Sequence, residues 1–280
     1  MQVEGITDPL AVAQEIADRF AALPQVEAVA LAGSQTTGMA EPGSDLDLYV
    51  YSHQPVPVAD RARLITPRAS RLELDNQFWE PGDEWIEAAS GVAVDVMYRD
   101  PAFIEGQLDR LLVAHEASVG YSTAFWHNVL TSRPLFDRAG WFAWLQARAR
   151  QPYPEPLRAA IIAKNWPILA LTISSYRRQL EKAVARGDLV SENHRVAALL
   201  ASYFDILFAL NRLPHPGEKR LLAFAAQHCS LRPAGMTEQI EALLHAAAVA
   251  DTTLLAHVDR LVAGLEDLLH AEGFALEEHL

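Results

Sequence analysis

The chain has 280 residues, half of them hydrophobic, and its 36 acidic residues outnumber its 23 basic ones to give a formal net charge of −13. This length suffices for one large or two ordinary buried cores. The acidic balance disfavours a long nucleic acid as partner, because nucleic-acid binding depends on lysines and arginines that neutralise phosphates. The single cysteine, Cys229, excludes an intramolecular disulfide and a cysteine-cluster zinc site.

The amino-terminal twenty residues are acidic and lack the basic and apolar regions of a signal peptide. No run of about eighteen apolar residues occurs, so no membrane span is expected. Together with the single cysteine, these features predict a cytoplasmic location and no membrane partner.

Three elements are predicted at the start of the chain. An amphipathic helix is capped by Asp8, and the apolar run VEAVALA over residues 26–32 then predicts a buried strand. This strand ends at the turn formed by Gly33 and Ser34. A loop rich in glycine, proline and serine, with room for one helical turn, leads to a second strand, DLDLYVY, over residues 45–51.

Two carboxylates alternate along the second strand. Asp45 and Asp47 project to the same side, since successive side chains on a strand point to opposite faces. Adjacent carboxylates repel each other unless a cation lies between them, and Mg2+ is a cation that prefers carboxylate and phosphate oxygens. Gly33 and the Ser34 hydroxyl permit a phosphate to approach closely. Either motif alone is usually an ordinary turn or a solvated strand edge, but together they indicate a site for a metal-bound nucleoside triphosphate.

A family resemblance rests on these residues. The Gly33-Ser34 turn, ten intervening residues and the sequence DLDL from Asp45 resemble the signature of the nucleotidyltransferase superfamily. DNA polymerase beta, poly(A) polymerases and the aminoglycoside and lincosamide nucleotidyltransferases share that fold. The resemblance covers about the first hundred residues. It implies a third carboxylate on a neighbouring strand, and the alternating segment over residues 91–100 supplies Asp95 for that position.

The resemblance also implies the chemistry. Asp45, Asp47 and Asp95 would be the catalytic ligands of two Mg2+ ions, with ATP or another nucleoside triphosphate as co-substrate. Attack of a hydroxyl on the α-phosphorus would transfer a nucleoside monophosphate. Asp95 itself, Glu80 or Glu84 would serve as general base. Glu80 and Glu84 lie in an acid-rich segment that either binds substrate or is an acidic surface loop around a hairpin.

A linker divides the chain. The segment QPYPEP, residues 151–156, has three prolines in six residues, which do not continue a helix. The sequence therefore predicts a catalytic nucleotidyltransferase domain at residues 1–150 and a helical substrate-binding domain at residues 151–280. The predicted fold class is α+β, with a small mixed sheet flanked by helices and then an all-α bundle.

The helical half is predicted to contain one helix over residues 157–186, kinked at Pro167, and a next helix capped by Ser191. Further along, a Pro-Gly turn between apolar helices carries Arg212 and Lys219. The functional interpretation is that these two cations reach across an interdomain cleft to bind the nucleotide triphosphate. The alternative is a solvated turn between helices.

The acceptor is expected to be a hydroxyl group of a small molecule. An acidic cleft favours a cationic one, such as an aminoglycoside, and the resemblance adds lincosamide-like antibiotics. A second hypothesis is transfer of AMP to a protein or RNA partner, as in antitoxin-like nucleotidyltransferases. A third is a nucleotide-sensing module without turnover, against which the presence of all three carboxylates argues.

Overall fold

The chain divides into two compact units. The first contains the described residues up to Asp109 together with Phe125–Gln151. The second contains Arg110–Ala124 together with the described residues from Pro152 onward. The computed structural model describes residues 8–38, 41, 43–78, 80–249 and 251–276.

The first unit is organised around a mixed sheet. Its strands are β1 (Val26–Ala32), β2 (Leu46–Ser52), β3 (Ala69–Asn76), β4 (Gly82–Glu87), β5 (Ala93–Arg99) and β6 (Arg133–Asp137). The strand order is β3-β4-β5-β2-β1-β6. β2 and β5 run parallel, whereas the other neighbouring strands run antiparallel. With the helical second unit, this sheet confirms the α+β fold predicted from the sequence.

Six helices accompany the sheet along the chain. They are α1 (Pro9–Ala21), α2 (Ser34–Thr37), α3 (Val58–Ile65), α4 (Pro101–Leu112), α5 (Ala124–Thr131) and α6 (Trp141–Ala149). α1 begins as predicted, because the carboxylate of Asp8 accepts a hydrogen bond from the Leu10 N–H at 3.0 Å.

One face of the sheet forms the core of the first unit. Leu46 and Leu48 of β2 are fully buried there, in a cluster that includes Ile16 and Phe20 of α1. Residues of β2 that alternate with these leucines therefore point to the opposite face of the sheet. That opposite face carries the polar residues of the site described below.

Aromatic residues cover part of the opposite face. Tyr49 accepts a hydrogen bond through its hydroxyl from Asn128 Nδ2 of α5 at 3.1 Å. Tyr51 packs against Trp141 and Phe142 of α6, with ring centroids 5.1 and 5.4 Å away. These contacts bury the carboxyl-terminal part of β2, whereas Asp47, near its start, remains only partly buried.

The second unit is a bundle around one apolar cluster. Its main helices are α7 (Glu155–Ala170), α8 (Tyr176–Arg186), α9 (Leu189–Leu210), α10 (Leu221–His228), α11 (Met236–Ala248) and α12 (Leu254–Ala271). The buried stripe of α9 includes Val196, Leu199 and Tyr203. Within the described part of the chain, none of the helices has the length and apolarity that a bilayer crossing requires.

Two details of the predicted helices are wrong. The helix expected over residues 157–186 is two helices, because Ser175 caps a new one by accepting a hydrogen bond from the Arg178 N–H. The next helix is capped by Asp188 rather than Ser191. The carboxylate of Asp188 accepts hydrogen bonds from both the N–H and the hydroxyl of Ser191.

Residues 110–124 cluster with the second unit, although the sequence interpretation assigned them to the catalytic domain. Asn165 of α7 accepts a hydrogen bond from the Gly120 N–H at 3.0 Å. Asp205 of α9 accepts hydrogen bonds from the N–H and the hydroxyl of Ser122 at 3.0 and 2.6 Å. The backbone polar groups of this segment are thus satisfied by buried side chains of the bundle.

Candidate active site

The turn after β1 brings the backbone against a carboxylate. Gly33 has φ +67° and ψ −151°, a conformation that favours glycine. A Cβ atom placed on Gly33 would overlap Oδ2 and Cγ of Asp47. The carbonyl of Gly33 accepts hydrogen bonds from the hydroxyls of Thr36 and Thr37, which fix the turn. Only glycine at this position lets the turn lie this close to Asp47.

Ser34 is the first residue of α2, directly after this glycine. Its Oγ atom is buried and has no hydrogen-bond partner. A buried hydroxyl without a partner is uncommon, because desolvation of the group is then not compensated. Such a hydroxyl is suited to binding an oxygen atom of a ligand.

Two aspartates lie opposite each other on the parallel strands. Asp47 of β2 pairs with Asp95 of β5 in the strand register. Cross-strand partners project to the same face, so both carboxylates lie on the face away from α1. Asp45 immediately precedes β2 and, by strand alternation, points the same way as Asp47. The structure therefore brings the predicted aspartates together at one end of the parallel strand pair.

The electrostatics of Asp95 reflect this crowding. Burial, and after it the negative charges of Glu84, Asp47, Asp45 and Glu80, together raise the pKa of Asp95 to about 6. A carboxylate in such surroundings is stabilised by a cation or by a proton. The oxygen-only donor set suits a hard divalent cation. Within the described ranges, however, no three histidine, cysteine or carboxylate side chains already stand in a metal-binding cluster.

The acidic hairpin β3–β4 extends this face of the sheet. Glu84 of β4 is the register partner of Asp95, and Glu73 of β3 is the partner of Glu84. Four acidic residues therefore form a row across β3, β4, β5 and β2, which ends at Asp47. Glu84 is exposed, and its Oε1 accepts a hydrogen bond from Asn76 Nδ2 at 3.2 Å.

Arginines neutralise most carboxylates of this hairpin. The ion pairs are Arg71 with Glu73, Arg61 with Asp75 and Asp83, Arg99 with Glu80, and Arg68 with Glu87. Among the described residues, Glu84 forms no such ion pair. Its charge therefore adds to the negative potential at Asp95. Of all the carboxylates, Glu84 raises the pKa of Asp95 most.

Glu80, the other acid proposed as a base, is engaged by Arg99. Both carboxylate oxygens of Glu80 accept hydrogen bonds, from Nε and Nη2 of Arg99, at 2.7 Å each. The guanidinium of Arg99 also stacks on the ring of Tyr49, 3.8 Å from its centroid. Sequence analysis missed Arg99 and Tyr49. Their positions four residues after Asp95 and two after Asp47, on the same strand faces, were the available signal.

The two cations predicted to bind the triphosphate belong to the second unit. Arg212 has φ +55°, and its Nε pairs with the carboxylate of Glu155 within that unit. Lys219 is exposed in the turn before α10. Between them, His215 is fully buried, and its N–H donates to the Thr123 hydroxyl at 2.8 Å. The assignment of Arg212 and Lys219 as nucleotide-binding residues stays a prediction.

A family model identifies the amino-terminal part of the chain. Residues 13–109 match the nucleotidyltransferase domain. The match spans about a third of the chain and contains the Gly33-Ser34 turn, Asp45, Asp47 and Asp95. No protein with a curated function shows significant sequence similarity to the chain.

Solved structures show looser likenesses. A nucleotidyltransferase-like protein from Exiguobacterium sibiricum is 15% identical, with 94% of this chain and 75% of that chain covered and a TM-score of 0.44. The STING-associated CdnE c-di-GMP synthase from Capnocytophaga granulosa is 11% identical, with coverages of 94% and 79% and a TM-score of 0.30. The CCA-adding enzyme from Thermotoga maritima, solved with tRNA, is 12% identical, with coverages of 97% and 85% and a TM-score of 0.32.

The assignment follows from the sequence match, not from these distant likenesses. Enzymes of the matched family generally use a nucleoside triphosphate and a divalent metal. Residues 13–109 therefore form a nucleotidyltransferase domain, and this match supports a nucleotidyltransferase activity.

Proposed function

We propose that this enzyme transfers a nucleoside monophosphate, AMP from ATP, to a hydroxyl group of a small molecule in a Mg2+-dependent reaction. The observation that carries the proposal is the register of Asp47 with Asp95, beside the Gly33 turn. This arrangement unites carboxylates with a turn that accepts a phosphate. Both are needed to hold a metal-bound triphosphate.

The residues of the first unit fit a divalent cation and its nucleotide. Asp45, Asp47 and Asp95 would hold the metal, since they offer only oxygen atoms and crowd their negative charges together. The buried Ser34 hydroxyl and the Gly33 turn would bind phosphate oxygens. When bound, the metal supplies Lewis-acid activation and neutralises charge on the leaving pyrophosphate. Two Mg2+ ions are proposed, as the family resemblance implies.

The reaction is a substitution at the α-phosphorus. The oxygen of the acceptor hydroxyl forms a bond to the α-phosphorus, and the bond from that phosphorus to the bridging oxygen of the β-phosphate breaks. Pyrophosphate leaves with the electron pair of that bond. We assign Glu84 as the general base that takes the proton of the acceptor hydroxyl. Glu84 lies beside Asp95 and forms no ion pair among the described residues. Glu80 is less suited to this role because Arg99 occupies both of its oxygens.

The acceptor class is proposed from charge. The row from Asp47 to Glu73 is acidic, and the whole chain carries a net charge of −13. Such a surface attracts a cationic acceptor and repels a polyanion. An aminoglycoside is such a cationic acceptor, and a lincosamide-like antibiotic, with its single amine, would be attracted more weakly. We therefore propose that the acceptor is an antibiotic, which the reaction would modify.

The second unit is proposed to contribute cations to triphosphate binding. Both predicted residues are exposed, and Lys219 is the stronger candidate because Arg212 already pairs with Glu155. A lysine suits this role because its ammonium group interacts with phosphate as a point charge. Substitution of Lys219 by Met is expected to raise KM for ATP, with Lys182→Met on α8 as a control.

The proposal is tested by incubating the protein with ATP, Mg2+ and a panel of aminoglycosides and lincosamides. Mass spectrometry would detect an acceptor whose mass has increased by one AMP, with release of pyrophosphate. The Asp47→Asn variant serves as the inactive control. Labelling of a protein or RNA in a cell lysate, without any labelled small molecule, would instead favour a macromolecular acceptor. ATP binding with no transfer to any acceptor would contradict the proposal.

A further inference from the structure

A buried arginine lies on the same sheet face as the aspartates. Arg99 is 6% exposed and sits at the end of β5, four residues after Asp95. Four residues along a strand correspond to about 13 Å, and both side chains point to the same face. A buried arginine is a costly residue to place, because its charge is removed from water. Its contacts therefore indicate what it stabilises.

Those contacts connect three separate parts of the first unit. The guanidinium holds Glu80 through two hydrogen bonds and stacks on Tyr49, which in turn follows Asp47 by two residues on β2. Tyr49 is 8% exposed, and its hydroxyl accepts a hydrogen bond from Asn128. The ring of Tyr49 is thus fixed at its face and at its hydroxyl. Arg99 and Tyr49 therefore contact each other further along the strand face that carries the aspartates.

Glu80 belongs to the turn that leads into β4. The next residue, Pro81, accepts a hydrogen bond from the Tyr98 N–H at 3.0 Å. Gly82 then pairs with Met97, and a Cβ atom on Gly82 would lie 2.9 Å from the Val96 carbonyl oxygen. The start of β4 is therefore held tightly on β5, and the ion pair of Glu80 with Arg99 holds it at the face that carries Asp95.

The ion pair also affects charge at the aspartates. Glu80 is near enough to Asp95 for its negative charge to be felt there. Arg99 binds both oxygens of Glu80, so the two charges compensate each other. Without this compensation, the negative charge of Glu80 would act in full on the aspartates and on a cation bound to them. The bidentate geometry suits arginine and not lysine.

We propose that Arg99 is a positioning residue that neutralises Glu80 and anchors the start of β4, so that the divalent cation is bound by the aspartates alone. This inference rests on the proposed function, because it concerns the residues assigned there to the metal. It assigns Arg99 a role in the site in addition to the roles of the three aspartates. It also makes Glu80 a partner of Arg99 and not a base.

The charge part of the proposal is tested by binding of Mn2+ alone, measured by calorimetry or electron paramagnetic resonance without nucleotide. Glu80→Gln leaves the buried guanidinium uncompensated, and should weaken Mn2+ binding about tenfold. Arg99→Met leaves Glu80 uncompensated and should strengthen Mn2+ binding by a similar factor. The double variant should bind Mn2+ within about twofold of the wild type.

The opposite changes in Mn2+ affinity expected for Glu80→Gln and Arg99→Met distinguish this role from a merely structural one. Damage to the fold would weaken Mn2+ binding in both single variants, and that result, or no change in either, would overturn the proposal. A wild-type protein that binds no more Mn2+ than its Asp47→Asn variant would instead overturn the proposed function. Circular dichroism of each variant would verify that it is folded.

The anchoring part is tested by hydrogen exchange of the backbone amides. The Tyr98 amide should exchange faster in Arg99→Met and in Arg99→Lys, because lysine keeps the charge but does not form the bidentate pair. Arg71→Met, which breaks the exposed pair with Glu73, is the matched control and should leave that amide unchanged. Equal exchange of the Tyr98 amide in wild type and Arg99→Met would contradict the anchoring role, whatever the metal measurement gives.

Discussion

Asp47 and Asp95 lie directly opposite each other across the parallel strands β2 and β5. The relation is one of strand register, so it is fixed by the backbone hydrogen bonds of the sheet and not by flexible side chains. A shift of one residue in either strand would turn one carboxylate into the core. The packing of Leu46 and Leu48 against α1 prevents such a shift. The core thus maintains the spacing of the two carboxylates.

The first prediction concerns Asp47. Asp47→Asn should fold normally, since the amide is nearly isosteric with the carboxylate and the residue is only partly buried. Turnover should fall by several orders of magnitude, because a charged metal ligand is lost. Nucleotide transfer under saturating ATP and Mg2+ would measure the loss. A variant that keeps a rate near that of the wild type would show that Asp47 does not bind the catalytic metal.

The second prediction concerns the glycine turn. Gly33→Ala should lower turnover at least about a hundredfold, because the new methyl group displaces the Asp47 carboxylate, and small misplacements have effects of this size. Gly38→Ala is the matched control. Gly38 also has a positive φ, +72°, but its ψ of 14° lies in the left-handed helical region, where alanine is less strained than in the conformation of Gly33. Among the described residues, no atom lies within 4 Å of the added Cβ. Equal activity of the two variants would refute the steric argument.

The parts of the site that follow local rules could be predicted from the sequence. Strand alternation placed Asp45 and Asp47 on one side, and the glycine and proline content of residues 33–44 marked the turn. The resemblance then supplied Asp95, and the match over residues 13–109 confirms a nucleotidyltransferase domain there. The inferences about the strand and the turn succeed because each depends on neighbours within a few positions along the chain, whereas Asp95 required the resemblance.

The features that were missed depend on pairs of residues far apart in sequence. No local pattern shows that Arg99 forms an ion pair with Glu80. Nor does one show that Arg212 pairs with Glu155, which precedes it by 57 positions. The break between α7 and α8 was missed because the apolar spacing continues through residues 171–175, where the Ser175 cap outweighs it. Helix boundaries depend on capping as well as on apolar periodicity, and the partners of charged side chains depend on the tertiary structure, so the folded structure is needed to identify them.

The third prediction concerns the acceptor side of the site. Glu84→Gln should slow transfer to the acceptor by about 10²- to 10⁴-fold, as expected for loss of a general base. Binding of ATP should change little, because Glu84 is not among the residues proposed to hold the phosphates. Glu73→Gln, two strands from Asp95 in the same row, is the control and should be nearly wild type. Similar losses in both variants would indicate a general effect of surface charge instead.

The last prediction concerns Asp205, a carboxylate buried in the second unit. It is 1% exposed, and burial raises its pKa from 3.8 to about 6, despite hydrogen bonds from Ser122 and Asn165 that act to lower it. Because the folded protein holds this proton more tightly than the unfolded chain does, its contribution to stability is fully present below about pH 3.8. That contribution is lost as the pH rises through 6 and amounts to roughly 3 kcal/mol.

Asp205→Asn removes this titration, since asparagine is neutral at every pH in the range. The difference in unfolding free energy between the variant and the wild type should therefore shift in favour of the variant between pH 4 and pH 7, by up to roughly 3 kcal/mol. Urea unfolding at half-unit pH steps would measure it, with Glu241→Gln on the exposed side of α11 as the control. If the two curves ran parallel across this range, Asp205 would have to be ionised in the folded protein throughout. The hydrogen bonds from Ser122 and Asn165 would then outweigh the effect of burial.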